Sequence, residues 1–331
     1  MISVRWPNAF HISMRFIVAG ALMHVVVRHA QRKLQIRNDK ADGTAHIMPQ
    51  NAIFWMRLFF GRKRSRCVGS LASISIPAVL RGPLFAFFAW VFDANLEEVR
   101  FPLRSYQTFN EFFCRLLKED ARPISDVENG LVSPVDGRVL AAGVIRNANA
   151  SIEQIKGSTF NVSSFLGCDP FDIEARNSTV NYIVFYLAPG NYHRFHAPCA
   201  VKFLRGQHFC GDLFPLNRIF LERVDDVFSV NERVVLSGTW KFGQMHLAAV
   251  GAANVGSIYF DFDESILTNM PVGDVTKKLW PDGVALKSGD LVGGFKLGSS
   301  VVLVFEVTEE GFKWAVNVGD AIRVGEIVGM I

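Results

Sequence analysis

Three short stretches carry side chains that could do covalent chemistry. In "GGFKLGSSVVLVFE" (Gly293 to Glu306), Gly298, Ser299 and Ser300 interrupt an apolar run where a packed strand gains from Val or Ile. A bulge or tight bend is one reading of that interruption. A nucleophilic serine is another, and it requires a base and a group that orients the base. Of the eight histidines, His193 and His196 lie together in "PGNYHRFHAP", where the apolar strand "YIVFYLA" gives way to a loop. A strand end presents side chains rigidly. Two histidines three apart could instead hold a metal, with His208 and Asp212 as the nearby further ligands, or form a purely structural pair. For the acid, "LVSPVDGRV" places Asp136 in a Pro-x-Asp-Gly sequence, which alone is an ordinary turn.

The elements that must position these residues are readable in outline. From Leu131 onward, short runs rich in Val, Ile and Phe alternate with Gly, Pro, Asp and Asn, the texture of a β-rich domain with many turns. "SPVDGRV" and "VNVGDAIRVGEIVGMI" have the glycine-punctuated turns of small barrel-sandwich domains. Upstream, Ser105 can cap a helix reaching about Lys118, with Phe109, Phe112, Phe113, Leu116 and Leu117 on one face. Leu84 to Phe92, "LFAFFAWVF", is short for a bilayer span and suits a helix at a membrane interface or on the core. Phe16 to Val27 is apolar apart from His24 and is also short of the roughly 20 residues of a span.

Charge is distributed unevenly over the 331 residues. The net charge is only +4, but Arg5, Arg15, Arg28, Arg32, Lys33 and Arg37 precede the first acid, Asp39. A second basic cluster is "GRKRSR", Gly61 to Arg66. An acid-free, Arg-rich leader is the pattern of a mitochondrial presequence, and both clusters suit an anionic membrane surface. Past Phe101 acids and bases mix, so no nucleic-acid face is expected. The five cysteines are scattered without CxxC spacing, which argues against a disulfide framework and a thiolate zinc site.

Taken together and in order, "SPVDG", "YHRFHAP" and "FKLGSS" resemble the phosphatidylserine decarboxylase family. The resemblance extends to "FPLRSYQTFNEFFCRLLKEDARPI", "IKGSTFNVSSFLG", "DLFPLN", "NERVVLSGTW" and "GAANVGSIYFDF", and so covers about residues 100 to 331. It implies a self-cleaving chain cut between Gly298 and Ser299, with Ser299 becoming a covalent pyruvoyl group that forms a Schiff base with the lipid amine. It further implies His196 as the processing base, Asp136 as its orienting partner, and His193 as the acid of the decarboxylation step. Ser300 stands where many relatives carry Thr, and both have a hydroxyl.

The resulting expectation is an α+β protein: N-terminal membrane-associated helices, then a mainly antiparallel β catalytic domain, barrel- or sandwich-like. Residues 1–40 would be a targeting or anchoring segment, 41–100 a membrane-associated helical region, and 101–331 the catalytic domain. The substrate would be phosphatidylserine in the membrane, with no metal and no nucleic acid. Large chain 1–298 and small chain 299–331 would stay together as a heterodimer, and a homo-oligomer is compatible with this. The mitochondrial inner membrane is the first location expected, and a bacterial inner membrane the second. Two rivals remain at this point: a zinc hydrolase using His193 and His196, and a non-enzymatic carrier or lipid-binding module suggested by "VGDAIRVGEIVG".

Overall fold

The computed structural model describes residues 62–145, 151–155, 158–168, 178–216, 221, 226–252, 257–266, 268–269, 276–296, 298–308 and 311–331. The expected targeting segment, the Phe16–Val27 run and Gly61 lie outside the described residues, as do the side chains of Arg62 and Lys63. Residues Ile47–Ile331 form one compact unit.

An eight-stranded sheet dominates that unit. In spatial order its strands are Thr276–Leu286, Val201–Phe209, Arg233–Trp240, Gly243–Gly251, Ser299–Thr308, Ser178–Leu187, Gly137–Ile145 and Ala321–Ile322. All of its pairings are antiparallel. Strand Ser299–Thr308 lies in the interior of the sheet and is apolar on both faces. Val301, Leu303 and Phe305 enter one hydrophobic core, while Val302 and Val304 enter the other. The period of two that separates these sets is the ordinary alternation of a strand.

The barrel-like expectation is corrected here, because the sheet is open. Its outer strand Thr276–Leu286 is mostly exposed and carries Lys277, Lys278 and Pro281. Lysines and a proline, which has no N–H to offer, are features that keep an edge from pairing further. Two three-stranded sheets flank it. One joins Ile258–Phe260, Leu291–Phe295 and Arg194–His196; the other joins Gly130–Val132, Ile327–Met330 and Lys313–Trp314.

Short helices Val162–Leu166 and Val227–Val230 lie between strands, and the longer helices lie upstream. Ala78–Phe92 buries Phe85, Ala89 and Val91 and exposes Val79, Phe87 and Trp90. Phe85 stacks on Phe112 with ring centroids 4.4 Å apart, so this helix shares a core with the segment after residue 100. No helix among the described residues is long and apolar enough to cross a membrane. The helix expected from Ser105 to about Lys118 is only Phe109–Phe113. Thr108 caps it, accepting from the Glu111 N–H at 3.1 Å. Beyond it Arg194 Nε donates to the Cys114 carbonyl at 2.9 Å, the Lys118 N–H goes to the Glu98 carbonyl, and Leu117 bridges to Val99.

Candidate active site

Ser299 opens the interior strand, opposite Leu187 on one side and Gly251 on the other. Both ladders run without a register shift from this residue onward, so the interruption is no bulge. The bend falls just before the ladder, at Gly298, whose φ of +24° lies in the region that favours glycine. Ser299 and Ser300 are buried, and neither hydroxyl has a hydrogen-bond partner. An unsatisfied buried hydroxyl costs about 1–3 kcal/mol, which a Val at either position would avoid. The cost is localised where chemistry was expected.

Backbone hydrogen bonds bring the other two motifs to this point. Strand Leu291–Phe295, which leads into Gly298, pairs with Arg194–His196. The Phe295 N–H donates to the His193 carbonyl at 2.9 Å. The His196 N–H donates to the Pro134 carbonyl at 2.8 Å, tying the histidines to the turn that holds Asp136.

The two imidazoles differ in what they face. His193 is fully buried against Phe113, with ring centroids 4.1 Å apart. Its Nδ1 lies 2.9 Å from the Asn191 carbonyl, which can only accept, so Nδ1 carries the proton. Nε2 then holds a lone pair, and it has no partner. Burial holds the His193 pKa down to about 3, with the Arg115 charge adding to the effect. His196 Nδ1 donates to the Gly289 carbonyl at 2.8 Å, and its Nε2 accepts from the Tyr192 hydroxyl at 3.1 Å. Burial lowers its pKa too, opposed by the Gly289 hydrogen bond and the Asp136 charge.

Asp136 is in the same region but is engaged elsewhere. Its carboxylate accepts from Arg122 Nε at 2.9 Å, from Arg122 Nη2 at 2.5 Å and from the Val324 N–H at 2.9 Å. Arg122 also pairs with Glu98 at 2.8 Å. No hydrogen bond joins Asp136 to His196, and in this structure the Gly289 carbonyl orients that ring. No group of three or more His, Cys, Asp or Glu side chains placed to hold a metal occurs among the described residues.

The phosphatidylserine decarboxylase family model matches residues 109–330, about two thirds of the chain and all three motifs. The chain belongs to the phosphatidylserine decarboxylase family. It is 38% identical to a mitochondrial phosphatidylserine decarboxylase proenzyme 1 of Toxoplasma gondii, over 98% of this chain and 76% of that one. It is 35% identical to a phosphatidylserine decarboxylase proenzyme of Plasmodium falciparum, over 97% of this chain and 90% of that one. A mitochondrial phosphatidylserine decarboxylase proenzyme of Rattus norvegicus is 35% identical over 82% of this chain and 72% of its own. Family membership makes the chain an enzyme that decarboxylates phosphatidylserine to phosphatidylethanolamine and arises from a self-processing proenzyme.

For a phosphatidylserine decarboxylase, the site holds residues that sequence reasoning left without a role. Tyr192 lies directly before His193, and its contact with His196 follows from a bend in the chain that no local pattern announces. Arg122 precedes Asp136 by a segment with no regular spacing. Arg115 donates from Nη2 to the Gly190 and Asn191 carbonyls at 2.8 and 3.3 Å, fixing the loop that carries His193.

Proposed function

We propose that Ser299 is the processing nucleophile of this decarboxylase, and that the chain is cut between Gly298 and Ser299. The observation that carries this reading is the buried, unpartnered Ser299 hydroxyl directly after a glycine with positive φ. Ser299 Oγ adds to the Gly298 carbonyl carbon, and the amide nitrogen leaves it to give an ester. Removal of the Ser299 Cα proton expels the Gly298 carboxylate and leaves dehydroalanine. Water then releases ammonia and leaves a pyruvoyl group at the head of chain 299–331. Gly298 leaves the attacked carbonyl uncrowded, and the dry surroundings of Ser299 suit the group that would form there.

The pyruvoyl carbonyl supplies the electron sink that loss of carbon dioxide from an amino acid requires. The chain's own side chains supply the rest. His196 takes the Ser299 proton, and Asp136 supplies a negative charge that favours the imidazolium. His193 takes up a proton at its open Nε2 and passes it to the carbon from which carbon dioxide leaves. A second reading exchanges the histidines, because the Nε2 lone pair of His193 is open while that of His196 is taken by Tyr192.

The cellular setting belongs to the same proposal. Residues 1–40 direct the chain to the mitochondrial inner membrane, and residues 41–100 hold it there. The catalytic domain, 101–331, is completed by both products of the cut, large chain 1–298 and small chain 299–331, which stay together as a heterodimer. Relatives named mitochondrial and the acid-free basic leader support the location. Exposed Phe87 and Trp90 support the attachment.

Intact mass under denaturing conditions tests the core of this reading. The expected result is two chains meeting at 298/299, the smaller one lacking a free amine, and a single intact chain for Ser299→Ala. Cleavage of Ser299→Ala at the same bond, or a small chain beginning with ordinary serine in active enzyme, overturns it.

A further inference from the structure

Three cations surround the candidate site, and none has a carboxylate partner among the described residues. They are Arg115, Arg194 and Lys296. By contrast, Arg122, a few residues away in sequence from Arg115, holds both Glu98 and Asp136. Arg194 Nε holds the Cys114 carbonyl at 2.9 Å and Arg115 follows Cys114 directly, so these two cations share one neighbourhood. Arg115 is buried, and its Nε and Nη1 have no hydrogen-bond partner. A buried guanidinium without a counter-charge is costly, and a site that will receive an anion is one place where that cost is tolerated.

Strand geometry sets two of these cations and a hydroxyl on one face. Arg194 pairs with Gly294, and Gly294 pairs on its other side with Tyr259. Directly opposed residues in antiparallel strands point the same way. Gly294 has to be glycine, because a Cβ there would lie 2.5 Å from Tyr259 Oη. The Tyr259 ring thus lies across the strand towards Arg194, with its buried hydroxyl beside the Cys114 thiol. Lys296, two residues beyond Gly294, is exposed, and its N–H continues the pairing to the Ser257 carbonyl at 3.0 Å. Arg194 is anchored through Nε on the Cys114 carbonyl, which leaves its terminal nitrogens to face a ligand.

We propose that Arg194 and Lys296, with the Tyr259 hydroxyl, bind the phosphodiester of the lipid headgroup, an assignment that rests on the decarboxylase reading above. The substrate offers two anions, and physical chemistry chooses between them. The carboxylate loses its charge as carbon dioxide departs. A cation gripping it would hold the ground state more tightly than the transition state and slow the reaction. The phosphodiester keeps its charge throughout, so binding it anchors the lipid without opposing the chemistry. It is joined to the amine-bearing carbon through a single methylene, which places it one side-chain length from the reacting centre. Arg194 adjoins His193 and Lys296 lies just upstream of Ser299, the positions that this connectivity demands.

The probe is glycerophosphocholine, a soluble phosphodiester whose quaternary amine cannot condense with a ketone. Calorimetric titration of the processed full-length enzyme should show it binding, competitively with phosphatidylserine vesicles, while choline alone does not bind. Arg194→Gln and Lys296→Gln should each weaken that binding about 10- to 100-fold, the loss typical of a charge-assisted hydrogen bond. Arg194→Lys should fall between. Lys296 is exposed, so its variant keeps the test open should Arg194→Gln fail to fold. Decarboxylation kinetics should show the loss as a raised KM for phosphatidylserine. Reductive trapping of free L-serine, which has no phosphate, should fall by less than glycerophosphocholine binding in both variants. Unchanged glycerophosphocholine affinity in both variants overturns the site. So does equal loss of L-serine trapping, or binding of inorganic phosphate by a wild type that ignores glycerophosphocholine. A wild type that makes no phosphatidylethanolamine overturns the decarboxylase reading itself, whatever the titrations give.

Discussion

His193 and His196 are three residues apart, yet burial and hydrogen bonding give them different chemistry, and substitution can separate them. His196→Ala should leave the chain uncut on a denaturing gel, while His193→Ala should be cut, at least partly, and fail to decarboxylate. The reverse pattern would exchange their roles. Tyr192→Phe is a sharper probe, since it frees the Nε2 lone pair of His196. Cleavage should then proceed faster in a time course if His196 is the base, and at the wild-type rate if His193 is. His193 also makes a pH prediction. Its pKa falls from 6.5 to about 3 on folding, so the unfolded chain binds the extra proton between those values. Stability is therefore whole above pH 6.5 and is lost as pH falls towards 3. The loss from this group is ~2 kcal/mol between pH 7 and 5. In the uncut Ser299→Ala background, His193→Gln should flatten the fall of Tm over that range; an unaltered slope would count against a buried neutral imidazole. The sequence singled out this pair and Ser299 because the three motifs are local and ordered, and backbone pairing brings those motifs together. It assigned Asp136 to His196, whereas the carboxylate lies on Arg122 and Val324, contacts that come from remote parts of the chain.

At the scale of the element, helix Ala78–Phe92 divides its aromatics between two environments. Phe85 is fully buried and Phe88 packs beside it, while Phe87 and Trp90 are 49% and 79% exposed. Phe87→Ser with Trp90→Ser should release the protein from liposomes in a flotation assay and leave cleavage intact. Phe85→Ala should instead lower stability by about 3–5 kcal/mol, because it removes a ring stacked on Phe112. Retained flotation of the double variant would move attachment to another part of the chain. The sequence marked this segment as a helix from its apolar run, but with little periodicity it could not say which rings face inward. It overextended the next helix for a related reason. Phe109, Phe112 and Phe113 do have helical spacing, but beyond Phe113 the backbone groups find tertiary partners, Arg194 on the Cys114 carbonyl and Glu98 on the Lys118 N–H.

The molecule as a whole is built around the strand that would begin at the cut. Ser299–Thr308 is paired along its length with Ser178–Leu187 and along most of it with Gly243–Gly251, and Val301 to Phe305 are fully buried. Segments further on pair with Gly130–Val132 and with Gly137 and Arg138, and Val324 donates to Asp136. Native gel filtration after cleavage should therefore keep the two chains together, and only denaturant should part them. Asp136→Asn should loosen this junction by about 1–3 kcal/mol, since Arg122 keeps Glu98 but loses a charged partner. A shift in the denaturant midpoint would register it. If Ser299 is the nucleophile, the bond to be cut is assembled only where the interior strand pairs with both of its neighbours. Chain maturation then acts as proofreading. On that reading a truncated or mispaired molecule would have no assembled scissile bond, would stay uncut, and would never present a reactive ketone to the amines around it.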